Sequence, residues 1–160
     1  MQSLTVLQEL IDQLPGRLQA LPSEKVEHKP APDAWSVKEE LGHLLDSAAN
    51  NHQRIVRAQL EEHPAMPGYD GDAWVALHQY HSREWPSLIE RWTVLNCQLL
   101  AAAEAVPDSA WTRALSIANS GPLTLKFVFD DYVHHMLDHL RHMGVDVEDF
   151  STRAASVGHS

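Results

Sequence analysis

The sequence predicts an all-α domain, a four-helix bundle with long connections. Three observations point there. Four stretches carry apolar residues at helical spacing, clusters of Pro and Gly separate them, and no segment shows the sustained alternation of a strand. The chain has 160 residues, enough for one domain with a real core and too few for two. Residues 1–150 are expected to form that domain, with a frayed, small and polar end from Phe150 and a flexible tail over 151–160.

Leu4, Leu7, Leu10, Ile11, Leu14 and Leu18 form the first helical stripe, and Pro15 is expected to kink or split it. A loop marked by Pro22, Pro30 and Pro32 follows. Ser36 is placed as an N-cap, with Glu39 at the capping-box position and Trp35 just before it. The second helix should run from Val37 to about Glu62, where Pro64 and Pro67 end it. The turn-rich 64–72 connection is long enough to cross one end of a bundle.

A third helical region extends from Ala73 to about Ala105, with Trp74, Leu77, Leu88, Ile89, Trp92, Leu95, Leu99 and Leu100 as its buried side. Pro86 either kinks it or begins a fresh helix from its first turn. Asn119-Ser120-Gly121-Pro122 is a strong turn signal in the second connection. The last helix is expected from about Leu123 to Met143, stopped by Gly144.

Composition narrows the function classes. A net charge of −10 with only 12 Lys and Arg argues against nucleic acid or an anionic membrane as a partner. The single cysteine, Cys97, rules out an internal disulfide and fits a reducing compartment. The N-terminus lacks the pattern of a secretory signal and no apolar run approaches membrane-spanning length, so a cytoplasmic protein is expected.

The last helix holds the chemistry. At ~100° per residue, Leu125, Val128, Phe129, Tyr132, Met136, Leu140 and Met143 share one side of the wheel. His139 lies inside that stripe, His135 on its flank and His134 opposite. His135 and His139 are four apart, so their rings project from adjacent turns and can share a transition-metal ion, given ligands from another helix. Such pairs also arise by chance in a chain with 11 histidines. Asp131, four before His135, is placed to orient that imidazole from behind, or to stand as a solvated charge.

The second helix offers His43 and His52. The wheel prefers His52, which falls amid Val37, Leu41, Leu44, Ala48 and Ile55. His43 lies about 120° or more from the centre of that stripe, beside Ser47 and Asn50. Read from the residues, His52 is a core histidine or a ligand, and His43 sits on either a solvated strip or the wall of a polar cleft. His78 and His81 read as a solvated helix edge, and His28 and His63 as loop histidines.

Trp35-Ser36-Val37-Lys38-Glu39-Glu40-Leu41-Gly42-His43-Leu44-Leu45-Asp46 resembles the helix-two signature of the DinB superfamily, including its YfiT-like branch: Trp-Ser, a Glu three or four later, then His-Leu and an Asp. The family's second signature, an H-x-x-x-H near the end of the last helix after a Gly-containing turn and a Thr-Leu pair, is matched by Gly121-Pro122-Leu123-Thr124-Leu125 and by His135 and His139. Order and spacing agree over nearly the whole chain, to about Met143.

The resemblance implies a four-helix bundle with a three-histidine metal site, carried over as His43, His135 and His139, which demotes His52 against the wheel. His134 and His142 match no ligand position. Three neutral imidazoles leave a divalent zinc, nickel or iron ion with its full charge and an open position, where water or a thiol is activated as a nucleophile. The resemblance further implies a small-molecule substrate, with metal-dependent transfer of a low-molecular-weight thiol such as bacillithiol or mycothiol, or hydrolysis. Asn50 and Asp131 are the expected supporting groups; no catalytic general base is identified, and Asp46 reads equally as a structural charge. A stress-associated metal- or ligand-binding bundle without turnover is the reading from another class. A homodimer is also implied, with Trp74, Trp85 and Trp92 at its interface or in the core.

Overall fold

The computed structural model describes residues 1–150, so the expected flexible tail at 151–160 lies outside the described residues. Four long helices carry the fold: α1 (Gln2–Gln19), α3 (Val37–Leu60), α5 (Trp85–Glu104) and α6 (Leu125–His142). Two short ones, α2 (Ser23–Glu27) and α4 (Gly71–His78), lie in the connections, with strands β1 (Ala65–Met66), β2 (Ala114–Ile117) and β3 (Leu123–Thr124). Helices α1 and α3 each pack against both α5 and α6, closing a four-membered ring. Among the described residues no helix is long and apolar enough to cross a membrane.

In α1 the residues Leu7, Leu10, Ile11, Leu14 and Leu18 are all buried, together with Val6. The helix is not split at Pro15. The proline removes one backbone hydrogen bond, but buried apolar side chains on both sides of it hold the helix against the core. Helix α3 starts as expected. The Ser36 hydroxyl accepts from the Glu39 amide, and Glu39 Oε2 accepts from the Ser36 amide at 2.8 Å, a complete capping box.

The third helical region is two helices. Asp70 caps α4 by accepting from the Ala73 amide, and Gln79, at φ 53°, ends it in the left-handed region. A 3₁₀ turn at Tyr80–Ser82 follows, and α5 then starts with Pro86 in its first turn, where its missing N–H costs nothing. Leu77, expected on the buried side, is 79% exposed because α4 is too short to follow the long-helix wheel. Trp92 is fully buried and Trp85 donates its ring N–H to the Leu18 carbonyl at 3.1 Å, so both belong to the core.

The expectation of no strand is corrected. A small sheet in the order β1-β2-β3 ties the two long connections together. β1 and β2 pair in parallel, with Ala65 opposite Ser116, while β2 and β3 pair antiparallel, with Leu115 opposite Leu123. Strands of two to four residues are too short to leave an alternation in the sequence. Their effect on the site is indirect: β3 runs straight into α6, whose N-cap Thr124 accepts from the Phe127 amide.

Helix α6 is stopped by Gly144, as the sequence implied. Its φ of +68° is one that glycine adopts freely, and the Val145 amide reaches back to the Leu140 carbonyl at 3.0 Å. Phe150, expected at the start of the frayed end, is buried instead, with the Arg17 guanidinium 4.6 Å over its ring. Gly42 has a different reason. A Cβ there would stand 2.1 Å from the Tyr80 ring, so only glycine lets Tyr80 lie against α3.

Candidate metal centre

Helices α3 and α6 bring His43, His135 and His139 to one point. The Nε2 atoms of His43 and His135 are 3.2 Å apart, and those of His135 and His139 are 3.0 Å apart. One ring nitrogen from each of the three lies within 4.8 Å of the other two. Imidazole nitrogens bound tetrahedrally to one zinc ion at about 2.0–2.1 Å stand roughly 3.3–3.4 Å from each other. The observed separations fall just inside that spacing, so the donor set fits a small divalent cation.

The rings are held from behind. His139 Nδ1 lies 2.5 Å from Glu40 Oε2, and donating its proton there leaves the Nε2 lone pair directed at the other two rings. The Trp35 ring packs on His43 with centroids 4.9 Å apart and on His139 at 6.2 Å, the latter nearly parallel. Tyr69 reaches the His43 ring from the other connection, at 6.2 Å.

Burial favours the uncharged form of His43 and His135. His43 is only 8% exposed. Burial first, then the neighbouring His139 and His135 rings, lower its pKa from the ordinary 6.5 to about 4. Burial and His139 also lower that of His135, against the opposing pull of Asp131, Asp138 and Glu40. Neutral imidazoles are what a metal ligand requires.

A depressed histidine pKa means that the folded chain binds fewer protons than the unfolded one between about 4 and 6.5. The stability of chelator-treated protein is therefore expected to be fully present above the upper value and to fall as pH drops through the window. Urea-unfolding midpoints measured across that range check this; a midpoint that stays level or rises on acidification would contradict it.

Several expectations are sorted by this geometry. His43 joins the cluster, as the resemblance implied, whereas His52, which the wheel preferred, is half-buried elsewhere on α3. His134 is exposed on the far side of α6, and the exposed His142 flanks the cluster with its ring 5.7 Å from that of His139. The supporting carboxylate is Glu40 and its partner is His139; Asp131 is exposed and acts on His135 only through its charge. Asn50 is corrected as well, since its amide donates to the Asp46 carbonyl one turn back on its own helix. His81 is not purely solvated, because its Nδ1 lies 2.9 Å from the Ser36 hydroxyl. Glu40 had a signal that went unused: it is three residues before His43, on the same helix edge.

Comparison with known proteins shows the family and the fold. A model of the DinB superfamily matches residues 7–143. YfiT of Bacillus subtilis (strain 168) is 23% identical over 141 residues, which covers 88% of this chain and 79% of YfiT. Its solved structure, described as a probable metal-dependent hydrolase with an unusual four-helix bundle topology, matches at a TM-score of 0.70 and 21% identity over 90% of this chain and 87% of that one. The mycothiol-dependent maleylpyruvate isomerase matches at a TM-score of 0.73 and 15% identity, over 95% of this chain and 65% of that longer one. At these identities the structural likenesses show a shared fold.

Proposed function

The chain belongs to the DinB superfamily, whose model spans residues 7–143, and on that premise we propose that His43, His135 and His139 hold one divalent transition-metal ion, zinc, nickel or iron, that serves thiol transfer or hydrolysis on a small molecule. The observation that carries this reading is the convergence of three histidine ring nitrogens from two helices, with adjacent Nε2 atoms 3.0 and 3.2 Å apart. A divalent ion held by three imidazoles supplies Lewis-acid activation, lowering the pKa of a water or thiol at its open position. The names of the similar proteins, one a probable metal-dependent hydrolase and one a mycothiol-dependent isomerase, support the two chemistries.

The chain's own residues have definable tasks in this reading. Glu40 keeps the His139 proton on Nδ1 and so keeps Nε2 free to ligate. Trp35 covers His43 and His139 and excludes water from one side of the rings. Replacing Glu40 with Gln keeps a hydrogen-bond acceptor but removes the charge, and should weaken metal affinity by about 10–100-fold while leaving the fold intact. Competition against a chromogenic chelator measures it; unchanged affinity would remove Glu40 from the site.

The direct test is metal content per chain on the purified protein, followed by conjugation of low-molecular-weight thiols to a generic electrophile and by ester hydrolysis. We expect about one ion per chain and metal-dependent turnover in one of the two assays. Failure to bind zinc, nickel or iron at all would overturn the site. Binding without turnover in either assay would instead favour a metal-binding bundle.

A further inference from the structure

Helix α3 also lines open space on another of its flanks. A cavity of about 640 Å³ opens between α3, α4 and α5, away from the α3–α6 seam that carries the three histidines. One part of its wall is apolar, with Leu45 from α3 and Val94 from α5, and Val94 is 59% exposed at its edge. Trp74 and Tyr80 add aromatic surface. The polar part centres on Asp46, which is only 3% exposed.

The Asp46 carboxylate is anchored on one side only. Its Oδ1 accepts from the Tyr80 hydroxyl at 2.7 Å and lies 3.1 Å from His78 Nδ1. Its Oδ2 is buried and has no hydrogen-bond donor. An unpartnered buried carboxylate oxygen is costly, and desolvation accordingly raises the Asp46 pKa. Glu90 and Arg91 also line the cavity, adjacent on α5 and exposed, and their opposite charges offset each other. The uncompensated charge is therefore that of Asp46, set beside two aromatic rings and apolar side chains.

We infer that this cavity is a binding site for a small organic ammonium with an apolar body, its N–H donors reaching Asp46 Oδ2 and its body lying against Trp74, Leu45 and Val94. The chemistry follows from the wall. A cation gives the carboxylate a charge-assisted hydrogen bond and is attracted by the aromatic faces, while a carboxylate ligand would repel Asp46. Half-exposed His78 stands between Asp46 and Trp74 and is the side chain that must yield for the ammonium to reach the carboxylate.

Calorimetric titration of the full chain at neutral pH with 2-phenylethylamine, 2-phenylethanol and 3-phenylpropionate tests this. The amine is expected to bind saturably at one site, about ten-fold or more tighter than the alcohol, with no binding of the acid. Asp46→Asn should weaken the amine by about ten-fold or more and leave the alcohol unaffected. Because Asp46 also braces Tyr80, a second variant guards the result: Val94→Trp fills the cavity edge from an exposed position and should abolish amine binding in a chain that folds normally. His135→Ala should bind the amine as wild type does, which separates this site from the histidine cluster. The proposal is overturned if amine and alcohol bind alike, if no binding saturates, if Asp46→Asn or Val94→Trp keeps wild-type affinity, or if His135→Ala loses it.

Discussion

His135→Ala is expected to take metal content from about one ion per chain to nearly none. His135 is the central member of the cluster, with its Nε2 3.2 Å from that of His43 and 3.0 Å from that of His139. Structural zinc in zinc-finger peptides is worth roughly 10–16 kcal/mol, and on that scale one ligand of three carries about 3–5 kcal/mol, on the order of 10²–10⁴ in affinity. The loss should also appear as a loss of stabilisation. With free metal at a thousand times its dissociation constant, the wild-type protein gains about 4 kcal/mol from binding, and the variant should gain no more than about 1.4 kcal/mol. His52→Ala is the control, since that ring lies outside the cluster, and it should keep full metal content. Mass-spectrometric metal analysis and melting curves with and without zinc read both effects. A His135→Ala protein that retains its metal, or a His52→Ala protein that loses it, would refute the ligand set.

Gly42→Ala should be the most damaging single methyl added to α3. The new Cβ would stand 2.1 Å from two carbons of the Tyr80 ring and 2.7 Å from Tyr80 Cβ. A clash with a Cβ cannot be relieved by swinging the end of a side chain, so the Tyr80–Ser82 turn must move away from α3. Overpacking of this kind costs about 1–3 kcal/mol. Withdrawal of the Tyr80 hydroxyl then leaves the buried Asp46 carboxylate without its 2.7 Å donor, roughly another 1–3 kcal/mol. The sum corresponds to a fall in melting temperature on the order of 10 °C for a chain of this size. Tyr80→Ala in the Gly42→Ala background should recover the overpacking part of the loss. A Gly42→Ala protein as stable as wild type would mean that Tyr80 does not sit against α3.

The helices and their ends were readable because their causes are local. The Ser36–Glu39 capping box, the Gly144 stop and the stripe of α1 each depend on residues within a turn or two of each other, and each is found where the pattern put it. Pro86 left two alternatives that its position alone did not separate; the left-handed Gln79 and the turn after it show that a fresh helix begins there. The strands went unread because two to four residues carry no period, and β1 pairs with β2 from some fifty residues away.

The misplacement of His52 has a more specific cause. A helical wheel ranks positions by distance from one apolar stripe, which assumes that a helix has one buried face. Helix α3 packs against α5, α6, α2 and α4 at once. Leu45, Asp46 and Ser47 are consequently buried along with His43, and part of the apparent polar strip faces neighbouring elements and not solvent. The family motif singles out His43, which does lie beside His135 and His139, because it registers position along the chain and makes no assumption about facing.

From the amino-acid sequence alone came four helical regions, the Ser36–Glu39 capping box, the Gly144 stop, and the pairing of His135 with His139, since all of these follow from residues close together along one helix. The tertiary structure decided that His43 meets that pair, that Glu40 and not Asp131 stands behind it, and that Asp46 lies buried beside a second cavity. Those outcomes depend on how α3 is rotated against α5 and α6, and that rotation is set by the packing of the whole core, in which every helix constrains the others.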